Sequence, residues 1–178
     1  NPAYRPHLGS TTYNMCPSPT GGKDWNPSAF DPQTGMLYIQ AHNDCFNMTP
    51  HEVNYIAGTP YIGANVTMFP GPGGWQGALL AWDVGEARPV WTLKENKLPL
   101  FGGVLATGGD LVFYGTLDGW FRAVDARSGK VLWQFKTSSG IIGEPMTFLG
   151  PGGRQYIAIY AGVGGWLPAA ALPSVSEN

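Results

Sequence analysis

Between Val104 and Lys136, short apolar runs alternate with turn-forming residues: VLAT then GGD, LVFYGT then LDG, WFRAVD then ARSG, and finally KVLWQFK. Runs of this length, rich in β-branched and aromatic residues and punctuated by Gly and Asp, predict a four-stranded antiparallel meander. One such sheet cannot bury both of its faces, so it needs neighbours. Its third turn has the pattern A-x-D-x-x-S-G-K-x-x-W, in Ala123, Asp125, Ser128, Gly129, Lys130 and Trp133. The Asp accepts bonds from backbone amides at the head of the turn, and the Gly takes the left-handed position.

The pattern returns in AFDPQTGMLYI, with Ala29, Asp31, Thr34 and Gly35 and with Tyr38 near the Trp position. It returns again in AWDVGEARPVW, with Ala81, Asp83 and Trp91 and the Gly displaced. The intervals from Asp31 to Asp83 and from Asp83 to Asp125 are 52 and 42 residues. That spacing suits one four-stranded blade per repeat of a β-propeller, with a solenoid or a sandwich as the alternatives. PMTFL, a GPGG turn and QYIAIY would start a further, partial blade over 141–166. The expected fold is all-β: a partial propeller over 1–178, of about three to four four-stranded antiparallel blades, with docking turns near 29–39, 81–91 and 123–133. So few blades do not close a ring, and open terminal blades would expose broad apolar faces. The chain is therefore expected to be one piece of a larger ring, completed by further residues or by a partner chain.

Composition supports this picture. The 178 residues suffice for a domain with a core, and the charged fraction of 12% is about half the usual value. With 26 Gly, 16 Pro and 13% aromatics, packing and turns must hold the molecule together more than ion networks do. The net charge of −2 comes with no run of Lys or Arg, which argues against nucleic acid and anionic membranes as partners. No apolar stretch is long enough to span a bilayer. The first residues, NPAYRPHLGS, lack an initiator Met and the pattern of a signal peptide, so a cleaved or incomplete chain is expected.

Most motif readings fail on spacing. The SGK of 128–130 would need a Gly where Val124 stands to make a phosphate loop. The GPGG stretches at 71–74 and 150–153 lie between predicted strands with no following helix, so neither is a dinucleotide fingerprint. There is no nucleophile elbow and no His-Glu-x-x-His. His7, His42 and His51 show no metal-ligand spacing and read as structural or exposed. Cys16 and Cys45, without a CxxC, leave buried thiols and a disulfide both open.

Two stretches remain as candidate chemistry. In GGKDW at 21–25 the pair Lys23 and Asp24 lies beside Trp25, either as a polar ligand site or as a solvated loop. In GVGGW at 162–166, glycines after a strand let backbone amides approach a ligand that Trp166 could cover; the alternative is a tight turn with a packing Trp.

The segments CPSPTGGKDW with a second Cys downstream, GDLVFYGTLDGWFRAVDARSGKVLWQFK, SGIIGEPMTF and QYIAIYAGVGGW together resemble one family across nearly the whole chain. It is that of the pyrroloquinoline-quinone (PQQ) dependent alcohol dehydrogenases, especially the methanol dehydrogenase large subunits and their lanthanide-dependent relatives. The resemblance implies the C-terminal portion of an eight-bladed quinoprotein propeller. It implies that Asp24 hydrogen-bonds PQQ, with Lys23 beside it as a second cofactor neighbour, and Asp rather than Asn resembles the lanthanide-dependent branch. It further implies that Trp166 and Gly165 lie at the cofactor, and that Phe101 of LFGG stands where the family usually has a Trp. A disulfide joining Cys16 and Cys45 follows from the same resemblance. So does the chemistry: primary alcohols oxidised by hydride transfer to PQQ, polarised by calcium or a lanthanide ion, with electrons leaving to a cytochrome c in the periplasm. The ion's ligands and the catalytic Asp have no matching positions here and are expected upstream. A noncatalytic propeller scaffold and a sugar-oxidising quinoprotein are the alternatives.

Overall fold

The computed structural model describes residues 1–59, 61–95 and 97–164. Its strands run, in chain order, β1 (Thr12–Met15), β2 (Ala29–Asp31), β3 (Met36–His42), β4 (Asp44–Pro50) and β5 (Ala64–Pro70). They continue as β6 (Gly77–Asp83), β7 (Arg88–Glu95), β8 (Val104–Thr107), β9 (Leu111–Gly115), β10 (Trp120–Asp125) and β11 (Val131–Lys136). A last hairpin comprises β12 (Met146–Leu149) and β13 (Gln155–Ala158). Two four-stranded antiparallel sheets form, β2-β3-β6-β7 and the meander β8-β9-β10-β11, with β12-β13 as a two-stranded third. Among the described residues no helix is long and apolar enough to cross a membrane.

The meander follows the predicted runs, but the repeat does not map one turn to one blade. The turns after Asp31 and Asp83 both lie in the first sheet, joining β2 to β3 and β6 to β7. Their 52-residue spacing arises because the chain leaves the sheet after β3 and adds β4 and β5 to the earlier β1, making a separate three-stranded sheet, before returning as β6. The expected Asp geometry is present in all three turns. Asp31 Oδ1 accepts from the Gln33 N–H at 2.9 Å, Asp83 Oδ1 from the Glu86 N–H at 2.9 Å, and Asp125 Oδ1 from the Ser128 N–H at 2.8 Å. Gly35 and Gly129 take φ of 69° and 71°; in the second turn Ala87 takes that region instead, at φ 52°.

The sheets stack in order. Tyr38, Leu79 and Ala81 of the first pack with Leu100, Val104, Val112, Tyr114, Val124 and Ala126 in one buried core. Trp91 docks across this seam: its Nε1–H donates to Ala126 O at 2.9 Å, and the Tyr38 hydroxyl donates to the same oxygen at 3.1 Å. A side chain at Gly129 would meet the Trp91 ring at 2.6 Å, so the turn must carry Gly for the indole to lie on it. Phe113, Phe121, Ala123 and Ile141 form a second core, joined by Ile157 and Ile159 of the third sheet's segment. Trp133, the counterpart of Trp91, is 49% exposed beside exposed Leu132 and Phe135. The sheets are left open, with an apolar face where another blade would pack.

Candidate functional site

The GGKDW loop is fixed at its root. Cys16 and Cys45 form a disulfide, as the family resemblance implies, with Cα atoms 4.5 Å apart. The Ser18 N–H donates to Asp44 O at 2.7 Å, and Gly21, at φ 72°, returns its N–H to Ser18 O at 2.8 Å. The loop then runs across the end of β3, where the His42 N–H donates to Gly22 O at 2.9 Å. Beyond Trp25 it is held again, by the Val104 N–H donating to Pro27 O at 3.1 Å.

Within the loop, Lys23 turns its ammonium inward and donates to the carbonyls of Asp24, at 2.8 Å, and Asn26. Asp24 is half-buried; its Oδ1 accepts from the Trp25 N–H at 2.8 Å. Its Oδ2 has no hydrogen-bond partner among the described residues. Trp25 is 77% exposed. Phe101, by contrast, is only 4% exposed, its ring 4.4 Å from that of His42 in an edge contact.

His42 and Gln40 are the residues that spacing did not single out. With Tyr38 they alternate along one buried face of β3 and bond to carbonyls of the next segment: His42 Nε2 lies 2.6 Å from Leu100 O, and Gln40 Nε2 donates to Gly103 O at 3.3 Å. Because Leu100 O can only accept, His42 carries its proton on Nε2. Burial holds the imidazole below its ordinary 6.5, against the raising effects of the Leu100 and Thr20 carbonyls. A run of buried polar side chains at every second position of a strand is the signal that marks this seam.

Glycines let the segments converge. A side chain at Gly103 would collide with Glu144 Cγ at 2.7 Å, so the lead into the third sheet lies directly against LFGG. Ile141 in turn bridges to Gly162, the first residue of GVGGW. Phe101 thus lies against the His42 ring, and the His42 N–H holds Gly22, next in the chain to Lys23 and Asp24. Gly165 and Trp166 lie outside the described residues.

Asp44, at the loop's root, is 2% exposed, with one oxygen accepting from Gln76 Nε2 at 3.2 Å and Oδ2 unpartnered. Burial pushes its carboxyl up from 3.8 to about 6, although the Gln76 bond pulls the other way. The folded protein therefore binds this proton more tightly than the unfolded chain, and the resulting stability, full at acid pH, is lost as pH rises through about 6. Asp44→Asn, which still accepts from Gln76, is expected to be more stable than the parent by about 2 kcal/mol at pH 7.5, with little difference at pH 4. His42 acts oppositely: stability from its neutral ring is lost as pH falls through its unfolded value of 6.5. Urea unfolding of variant and parent at both pH values isolates the Asp44 contribution as their difference.

Comparison with known proteins decides what the arrangement belongs to. The family model for the PQQ-dependent glucose/ethanol/alcohol dehydrogenase β-propeller domain matches residues 75–157, covering both ends of the Trp91 seam. The chain belongs to the PQQ-dependent dehydrogenase family. It is 49% identical to the lanthanide-dependent methanol dehydrogenase of Methylacidiphilum fumariolicum, over 99% of this chain and 29% of that protein. It is 38% identical to methanol dehydrogenase [cytochrome c] subunit 1 of Methylobacterium organophilum, over 93% of this chain and 27% of that subunit. A solved structure of a europium-containing methanol dehydrogenase superposes with a TM-score of 0.85 at 45% identity, over 99% of this chain and 33% of that one. The chain thus spans roughly a third or less of the length of these relatives.

The loop fits part of what a PQQ site of this family requires. Asp24 offers a carboxylate with one oxygen held by the Trp25 N–H and the other free of hydrogen bonds. Lys23 contributes by fastening the loop, since its ammonium is engaged with backbone carbonyls. The Phe101 ring is enclosed and supports His42 rather than presenting an open wall. Among the described residues no group of three or more His, Cys, Asp or Glu side chains is placed to hold a metal ion.

Proposed function

We propose that this chain is the C-terminal portion of a periplasmic PQQ-dependent alcohol dehydrogenase that oxidises primary alcohols to aldehydes and passes the electrons to a cytochrome c. The observation that carries this reading is the half-buried Asp24, pinned on both sides and with a free carboxylate oxygen, in a chain whose whole length resembles methanol dehydrogenases. PQQ, when bound, supplies the two-electron acceptor for hydride from the alcohol. Asp24 holds the cofactor through its free oxygen. Lys23 keeps the loop in shape, and the buried His42 and Phe101 exclude water from beneath it. Gly165 and Trp166 complete the same side of the cofactor by resemblance to the family. A lanthanide ion, rather than calcium, is favoured by the higher identity to the lanthanide-dependent relative, 49% against 38% for the cytochrome c-linked subunit. Ligands for the ion and the catalytic Asp come from the remaining blades.

In the complete protein, Asp24→Ala is expected to weaken PQQ binding about 10- to 100-fold, the worth of one hydrogen bond to a charged group. Quinone absorbance during PQQ titration of the metal-loaded apoprotein measures this, and alcohol-dependent dye reduction should fall in parallel. Unchanged affinity would remove Asp24 from the site. No PQQ binding by the parent would leave a noncatalytic propeller.

A further inference from the structure

His42 stands where two pieces of the candidate site meet. Its backbone N–H donates to Gly22 O at 2.9 Å and so carries the near end of the Asp24 loop. Its side chain reaches the other way, Nε2–H to Leu100 O at 2.6 Å, with its ring against Phe101. The far end of the loop is pinned to the second sheet independently, through Pro27 O and the Val104 N–H. Lys23 to Asn26 therefore lie between two anchors, and both lead to the 100–104 segment. Only one of them passes through a side chain.

Burying an imidazole at 7% exposure on a sheet face is unfavourable unless the ring is hydrogen-bonded. An apolar residue would fill the same volume more cheaply, and Nδ1 makes no full hydrogen bond, although the Thr20 carbonyl acts on the ring from the loop side. What the imidazole adds is a directed bond to a carbonyl of the neighbouring segment, which fixes the end of β3 against Leu100 and Phe101.

We propose that His42 is a positioning residue for the Asp24 loop: its bond to Leu100 O sets the loop's place over the second sheet, and through it the fit of the cofactor edge that Asp24 meets. The proposal rests on the PQQ reading above. It places His42 beneath the site, with no contact to the reacting atoms.

The test uses the complete protein with His42→Phe, which keeps a ring but cannot donate, and His42→Gln, whose amide nitrogen can still reach Leu100 O. PQQ affinity of the apoprotein and backbone hydrogen exchange without PQQ are measured for each. His42→Phe should weaken PQQ binding about tenfold and speed exchange across residues 20–26, whereas His42→Gln should stay within about threefold of the parent. Should His42→Phe fail to fold, His42→Asn, too short to reach Leu100 O, is expected to show the same loss. Unchanged PQQ affinity in the non-donating variants, or unchanged exchange across 20–26, would overturn the role of His42. Failure of the parent itself to bind PQQ would instead overturn the reading on which the proposal rests.

Discussion

Replacing Glu95 with alanine is expected to cost the fold about 2–3 kcal/mol, because it takes the carboxylate from a partly buried guanidinium and from the Tyr114 hydroxyl at the seam between the first two sheets. Glu95 ends β7, and its Oε1 accepts from the guanidinium of Arg122 on β10 and from the Tyr114 hydroxyl on β9 at 3.0 Å. Arg122 also donates to the Tyr114 oxygen at 3.0 Å and lies over its ring, with the guanidinium carbon 5.9 Å from the centroid. The side chains of Arg122 and Glu95 are 16% and 18% exposed, so solvent screens the pair only in part. Burial, and then the Glu95 charge, raise the Tyr114 phenol well above its ordinary value, so it stays a neutral donor across the working pH range. Glu95→Gln retains an acceptor for both donors and should cost only about 1–2 kcal/mol. Replacing Glu95 and Arg122 together by methionine should recover most of the loss, since the desolvation penalty leaves with the charges. Urea unfolding of the three variants measures this order; a cost below about 1 kcal/mol for Glu95→Ala would show that water compensates the pair.

The second large effect concerns the excursion that interrupts the first blade. Cys16 is exposed and Cys45 is buried, 29 residues apart in sequence. In the chain-entropy model a bridge closing such a loop contributes about 3–4 kcal/mol by restricting the unfolded chain. Substituting both cysteines with serine should therefore lower stability by that amount. Because Ser18 and Asp44 flank the bridge, the loss should be accompanied by faster hydrogen exchange in the loop that carries Asp24. A stability change under about 1 kcal/mol would mean that β1-β4-β5 pairing already restricts the reduced chain.

The meander over 104–136 was legible because each run, turn Asp and left-handed Gly is a local signal that agrees with its neighbours. The Asp31 and Asp83 turns were legible as turns but not as parts of one sheet. Their pairing depends on β3 meeting β6 across the residues between them, a non-local contact that an interval cannot encode. The site divides similarly. From its own residues the GGKDW loop read equally as solvated, and Asp24, like the disulfide, stood out only through the family resemblance. The inward turn of Lys23 and the enclosure of Phe101 depend on which carbonyls and rings the fold brings near. His42 carries no ligand spacing, and its partners Gly22 and Leu100 come from opposite directions along the chain.

The most direct measurement is the structure of the complete, metal-loaded protein with PQQ bound. The quinone's ring system is expected within hydrogen-bond distance, about 3 Å, of the Asp24 carboxylate, with His42 still bonded to Leu100 O beneath it. PQQ seated away from the 22–26 loop, or a complete protein that binds none, would contradict it.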